Sequence, residues 1–336
     1  MDKFNYYYIL ILLIIIYTLI YYNKSTKIEN INLNRLNKLI DVKLSNTTNK
    51  LFIVPFIELG DNIIINGGIQ YLSKKYDTII YVCKKANYKQ ISYMFKNIKN
   101  IIYFTIPDKY TIQYLNYYIP IDKIILYKFK KYNIKYNNFY DNIANSRYKF
   151  IYNYINEDVI KRTYTNLNVD IDIGYNYFKI PRNNENENKL YNKLINIIGY
   201  KYVIIIDDEK RNFLINDKYI SNIKLPIYKL SMNSINKDKR LDDIKSEYMF
   251  DYIKILSNAT SIYSIDTSIL WLLDFLNIDV PIYAFCARND TCIYRNKNIR
   301  KIDVSISDII QTNINYNNYT FKHMIDYILS ISIFEL

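Results

Sequence analysis

Hydrophobic positions in this chain fall into three regimes. Residues 6–22 (YYYILILLIIIYTLIYY) carry no charge. As a helix rising 1.5 Å per residue, the run and its immediate flank would span roughly 26–29 Å, enough to cross a bilayer's hydrocarbon core. Tyrosines cluster at both ends, where an aromatic belt would sit. The following Tyr22-Asn23-Lys24 lacks a small-residue cleavage pattern. Residues 1–22 therefore read as a retained transmembrane anchor rather than a cleaved signal. Residues 23–50 are polar and aperiodic, and read as a stem. From residue 51 onward, short continuous apolar runs alternate with amphipathic stretches, the pattern of βαβ units on a parallel sheet.

The first block, residues 51–180, predicts strands at 51–56, 78–83, 100–105 and 123–126. A Gly60-Asp61 turn should lead into a helix over 63–75, with further helices at 88–97 and 108–118. Residues 133–180 are less regular. Residues 180–188 (IPRNNENEN) read as a linker, with a proline and a polar run. The second block, residues 181–336, predicts strands at 202–206, 224–228, 261–265 and 281–285. Its helices are expected at 189–198, 248–258, from 269, and at 321–333. The expected architecture is α/β, with two Rossmann-like domains facing a cleft behind one N-terminal transmembrane helix.

Composition removes several functions. The five glycines (Gly60, Gly67, Gly68, Gly174 and Gly199) cannot spell a dinucleotide fingerprint or a Walker loop. His323 is the only histidine, which argues against a His-based zinc site or hydrolase triad. Cys83, Cys286 and Cys292 lack metal spacing and suit buried apolar positions, although the last two could bridge in an oxidising compartment. The net charge of +13 is dispersed. Its densest run, residues 123–135, interleaves Tyr127, Phe129 and Tyr132 with lysines, a pattern that suits nucleic acid, a solvated helix face or anionic lipid. No recognition motif accompanies it, and no nucleic-acid partner is expected. Lys24, Lys27, Arg35 and Lys38 after the apolar run favour a cytosolic body, whereas Asn46-Thr47-Thr48 would permit a lumenal one. The protein is read as single-pass, with the side of the membrane left open.

Candidate chemistry gathers at predicted strand ends. The first block offers Glu58, Gly60, Asp61 and Asn62. The second offers Asp207, Asp208 and Arg211, then Asp266-Thr267-Ser268, then Arg288. A strand ending in three hydrogen-bonding side chains at a helix start makes an anion site, and arginine forks suit phosphate oxygens. Plainer roles compete. Thr267 or Ser268 could be only a helix cap, Asp61 likewise, and residues 207–211 a solvated turn. Asp170-Ile171-Asp172 has the form of a metal-binding Asp-x-Asp motif but lacks its strand context.

The order of these pieces carries a resemblance. FIELGDNIIINGGIQYLSKKYDTIIYVCK resembles the opening of glycosyltransferases of the two-Rossmann-domain (GT-B) architecture, in particular virus- and algae-type members distantly similar to fucosyltransferases and heptosyltransferases. KIPRNNENENKLYNKL with YVIIIDDEKRN is similar to their interdomain entry and the first strand of the nucleotide half. FDYIKILSNATSIYSIDTSILWLLDFL is similar to their late helix-strand-hydroxyl-helix element. The match covers roughly residues 51–290 as a pattern rather than a signature.

The resemblance implies transfer of a sugar from a nucleotide-diphosphate donor to a hydroxyl of a glycan or protein; with Arg211, Arg288 and a helix dipole to stabilise the leaving group, no metal or other cofactor is expected. The resemblance makes residues 51–180 the acceptor side with Asp61 a candidate there, makes Arg211 a candidate for the donor phosphate, and places Asp266, Thr267 and Ser268 near the nucleotide. The residues themselves add the rest: with one histidine the base should be a carboxylate, Asp61 first and Glu58 second, with Gly60 and Asn62 beside them, and Asp208 and Arg288 join the donor side at their strand ends. One departure stands out: fucosyltransferase-type relatives show His-x-Arg where this chain has Asp207-Asp208-Glu209-Lys210-Arg211. The alternative is a non-catalytic, membrane-anchored binding or structural protein of the same fold.

Overall fold

The computed structural model describes residues 35, 38, 49–55, 58–106, 134–138, 159–207, 214–230, 236, 238–286 and 293–304. The apolar run 6–22, the helices expected at 108–118 and 321–333 and the strand at 123–126 lie outside these residues. Among the described residues, no helix is long and apolar enough to cross a membrane. The chain divides into two compact units, residues 1–154 with 160–181, and residues 155–159 with 182–336.

The first unit holds a parallel sheet of β1 (Lys50–Val54), β2 (Thr78–Lys84), β3 (Ile101–Ile106) and β4 (Ile134–Asn138), in the order β3-β2-β1-β4. Continuous apolar runs form its centre because a parallel strand is buried on both faces. Phe52, Ile53, Ile79, Ile80, Tyr81 and Val82 are all fully buried. Each such aliphatic or aromatic side chain contributes about 1.5–3 kcal/mol on leaving water. The edge strand β4 was not anticipated. Its sequence IKYNN is half polar, as an edge strand tolerates.

The helix expected at 63–75 is two helices, α1 (Leu59–Ile64) and α2 (Asn66–Leu72), meeting at Ile65. Gly60 and Asp61 lie in the first turn of α1 and do not form a separate turn. α3 (Tyr88–Met94) follows β2. The irregular region contains α4 (Val159–Leu167) and α5 (Ile171–Tyr177), which pack against α2. That contact explains Gly67 and Gly174. A Cβ on Gly67 would stand 1.8 Å from the Gly174 carbonyl oxygen, and one on Gly174 would stand 2.1 Å from the Tyr164 ring. Tyr164 is buried and donates to the Ile64 carbonyl at 2.7 Å. Asn66 closes the arrangement by accepting from the Lys179 backbone N–H at 2.9 Å and donating to its carbonyl at 3.3 Å.

Tyr81 faces α1 and α3, donating to Asn62 and meeting Phe95 edge-on. Alternation along β3 puts Phe104 on the opposite face from Tyr103. Arg35, from the segment read as a stem, sets its guanidinium over the Phe104 ring at 5.3 Å. Lys50, at the expected stem's end, is already the buried first residue of β1.

The second unit holds β5 (Val203–Ile206), β6 (Ile227–Lys229), β7 (Ser261–Ile265), β8 (Ile282–Cys286) and β9 (Ile299–Asp303). All pair in parallel, in the order β6-β5-β7-β8-β9. The residues expected to form a linker are instead the start of α6 (Asn184–Ile198). Asn183 caps it by accepting from the Asn186 N–H at 3.2 Å, Glu185 and Glu187 complement the helix dipole, and Arg182 forks onto buried Glu187. Asn186 donates to buried Asp251 at 2.5 Å, tying α6 to the 3-10 turn Met249–Tyr252. The helix expected over 248–258 is this turn followed by α8 (Ile253–Ser257). α7 (Asp217–Ile220) is a single short turn.

α9 (Ser268–Phe275) is apolar nearly all round, and Leu270, Trp271, Leu272 and Leu273 are all buried. Its Asp274 accepts from the Arg295 and Asn296 N–H groups at 2.9 and 2.8 Å, holding the approach to β9. β9, a second half-polar edge, also escaped prediction. Cys83 and Cys286 are buried, as expected of apolar thiols; Cys292, and with it the possible bridge to Cys286, lies outside the described residues.

Candidate functional site

Strand order fixes where each unit can hold a ligand. In an open parallel sheet, binding falls at the carboxyl ends of the strands where the order reverses. In the first sheet that point lies between β1 and β4, and the chain leaving β1 carries Glu58 and then, within α1, Gly60, Asp61 and Asn62. In the second it lies between β5 and β7. Asp207 leaves β5 one residue beyond the Ile206↔Ser264 pair, and Asp266 leaves β7 two residues beyond it. The local sequences Ile206-Asp207 and Ile265-Asp266-Thr267-Ser268 thus emerge side by side.

Within the second unit, Thr267 holds the N-cap position of α9 with extended backbone (φ −134, ψ 169), yet its side chain makes no capping bond. The hydroxyl oxygen is buried and, among the described residues, has no hydrogen-bond partner. A Thr that served only as a cap would accept from an N–H of the first turn. Here the hydroxyl is unused, and the first N–H groups of α9 have no intrahelical acceptor. The dipole of α9 adds partial positive charge at the same spot. Ser268 opens the helix beside it, partly exposed, as is Asp266.

Asp207 is buried to 5 % exposure at the end of β5, with the Lys229 ammonium 4.0 Å from its carboxylate. The Lys229 backbone is clamped by Asn236, whose side-chain oxygen accepts its N–H at 2.8 Å. Lys229 was missed as a candidate because the strand was expected to end at Tyr228. The observed β6 ends on Lys229 and points its half-exposed side chain at this corner. Asp208, Arg211 and Arg288 lie outside the described residues.

Within the first unit, the four candidates separate. Asn62 is fully buried, donates to the Glu58 carbonyl at 2.6 Å and accepts from Tyr81. It is a buried residue that joins α1 to β2. Glu58 occupies the N-cap position of α1 without capping it, and its exposed carboxylate pairs with Lys84. Asp61 sits partly exposed in the first turn of α1, where the helix dipole favours its charge. Gly60 precedes it, also partly exposed.

Asp170 is a helix cap, its carboxylate accepting from the Asp172 N–H at 2.7 Å. The Asp-x-Asp pattern is therefore spent on starting α5. Among the described residues, no group of three or more His, Cys, Asp or Glu side chains gathers as a metal site.

No protein-family profile and no curated protein matches this chain. Among solved structures it is similar to the ADP-heptose lipopolysaccharide heptosyltransferase II of E. coli, with 9 % identity, 84 % of this chain and 99 % of that one covered, and a TM-score of 0.45. It is also similar to a family 9 glycosyltransferase from Veillonella parvula, with 10 % identity, 84 % and 90 % covered, and a TM-score of 0.38. Neither likeness is close enough to assign an activity.

Proposed function

We propose that this protein is a membrane-anchored glycosyltransferase that moves a sugar from a nucleotide-diphosphate donor to a hydroxyl of a glycan or protein, without a metal. The observation that carries this reading is the Thr267 hydroxyl, buried and without a partner among the described residues, at the head of α9, just past a strand that flanks the reversal of the second sheet. A diphosphate oxygen would accept from that hydroxyl and from the first N–H groups of the helix. Transfer needs positive charge on the departing diphosphate and a base for the acceptor hydroxyl. In this reading the charge comes from the α9 dipole, Lys229, Arg211 and Arg288, with Asp266 and Ser268 beside the nucleotide and Asp208 next to Arg211. Asp61 takes the acceptor's proton, because Glu58 is already engaged by Lys84. The apolar run 6–22 supplies the anchor, and kinship with virus- and algae-type members is part of the same proposal.

The test is titration calorimetry of the full chain against a panel of nucleotide-diphosphate sugars in the presence of EDTA. Binding of at least one donor, lost in Arg211→Ala while the melting temperature holds, supports the reading. No heat with any donor would return the protein to the class of non-catalytic binding proteins of this fold.

A further inference from the structure

The last residue of β6 is held from both sides. β6 is a three-residue edge strand, and its Lys229 pairs with Ile205 of β5. Toward β5, the Leu230 N–H donates to the Ile205 carbonyl at 2.9 Å. The Lys229 N–H and carbonyl turn the other way, where an edge strand leaves such groups open. Asn236 closes them. Its side-chain oxygen accepts the Lys229 N–H at 2.8 Å, and its amide nitrogen donates to the Lys229 carbonyl at 3.4 Å. One side-chain amide thus stands in for a missing neighbouring strand.

Asp242 fixes which way that amide points. Its Oδ1 accepts from the Asn236 backbone N–H at 3.1 Å and from the Asn236 amide nitrogen at 2.9 Å. A carboxylate only accepts and the Lys229 N–H only donates, so a flipped amide would lose both partners. Asn236 is buried, where unmatched polar groups are costly. The clamp matters because of what Lys229 carries. Its ammonium stands 4.0 Å from the carboxylate of Asp207, whose side chain is 4 % exposed. A buried carboxylate needs a cation close by, and a lysine's flexible stem could otherwise swing its charge into water.

We infer that Asn236, oriented by Asp242, is a positioning residue that keeps the Lys229 ammonium at the Asp207 corner. It acts through the Lys229 backbone and touches neither carboxylate nor ligand at that corner. Only the use of the positioned charge by a diphosphate rests on the proposed function.

The test reads Lys229 without any ligand. The full chain is treated with acetic anhydride, and acetylation of Lys229 is timed by mass spectrometry against exposed Lys239. Asn236→Ala should speed Lys229 relative to Lys239 by at least about twofold, the lower end of coupling within one hydrogen-bond network. Asp242→Ala, at a partly exposed position, should do the same and serves should the first variant not fold. In an Asp207→Asn background neither change should add to the rate, because the ammonium no longer has a charged partner to leave. An unchanged Lys229 rate in both variants would overturn the inference. So would an equal acceleration with and without Asp207, the mark of a clamp that merely stiffens the chain. Calorimetry with inorganic pyrophosphate separates the two readings. Binding that weakens at least about twofold in Asn236→Ala supports the link to the donor. No binding to the unmodified chain counts against sugar transfer and leaves the acetylation rates to decide the positioning.

Discussion

Replacing Thr267 by Val separates structure from function at a single atom. The substitution keeps the branched shape and removes the buried hydroxyl, which bonds nothing among the described residues. Burying a hydroxyl without a partner costs about 1–2 kcal/mol in proteins, so its removal should stabilise the second unit by that amount. For a folding unit of this size, each kcal/mol corresponds to about 2–4 °C, giving a rise of about 2–8 °C in melting temperature. The donor loses a hydrogen bond to a charged oxygen, worth about 1.5–3 kcal/mol, or about 10- to 150-fold in Kd. Differential scanning fluorimetry without ligand and calorimetry with a nucleotide-diphosphate sugar read the two effects separately. Stability rising as affinity falls is the signature of a polar group kept for a ligand. A lower melting temperature in the variant, or an unchanged Kd, would show that the hydroxyl has a structural use.

Gly67→Ala should lower the melting temperature by about 2–12 °C, since backbone at 1.8 Å cannot rotate away and overpacking costs about 1–3 kcal/mol; an unchanged melting curve would refute the close approach of α2 and α5. Burial pushes the Cys83 thiol up to about 12, so almost no thiolate exists at pH 8. A thiol reagent should label Cys83 only as fast as the first unit unfolds, and rapid labelling of the native protein would contradict its burial. Hydrogen bonds from the Asn236 side chain and backbone hold the Asp242 carboxyl below its ordinary value. A depressed folded-state value stabilises the protein above the unfolded value near pH 4, and that stability is lost as pH falls through the folded one. Asp242→Asn should therefore flatten the acid limb of a melting-temperature profile, and an unaltered slope would remove Asp242 from the account.

Strands at the centres of the two sheets were legible because burial on both faces leaves few polar and no charged residues: LFIV, TIIYVC, VIII and SIYSI read directly. The half-polar edges β4 and β9 give no such run. Helices failed where polar sequence hid a cap. NENEN resembles a linker until Arg182 is seen to satisfy the buried carboxylate of Glu187, a pairing between side chains that hydropathy does not register. Asp170-Ile171-Asp172 shows the converse, a motif-like spacing that geometry reduces to a helix start. At the candidate site, the Asp266-Thr267-Ser268 corner was readable from its strand-to-helix transition. Lys229 was not, because its approach to Asp207 depends on the lateral pairing of β5 with β6. Asn62 looked like a surface residue of a turn, and only the fold draws it onto Tyr81.

The clasp of Gly67 and Asn66 on Gly174 and Lys179 bears on how the protein is made. More than a hundred residues separate the two halves of that contact, with Asn66 and Lys179 lying 113 apart. A nascent chain leaving the ribosome therefore exposes α2's glycine face until residues 164–179 have emerged. Maturation of the first unit must wait for that return.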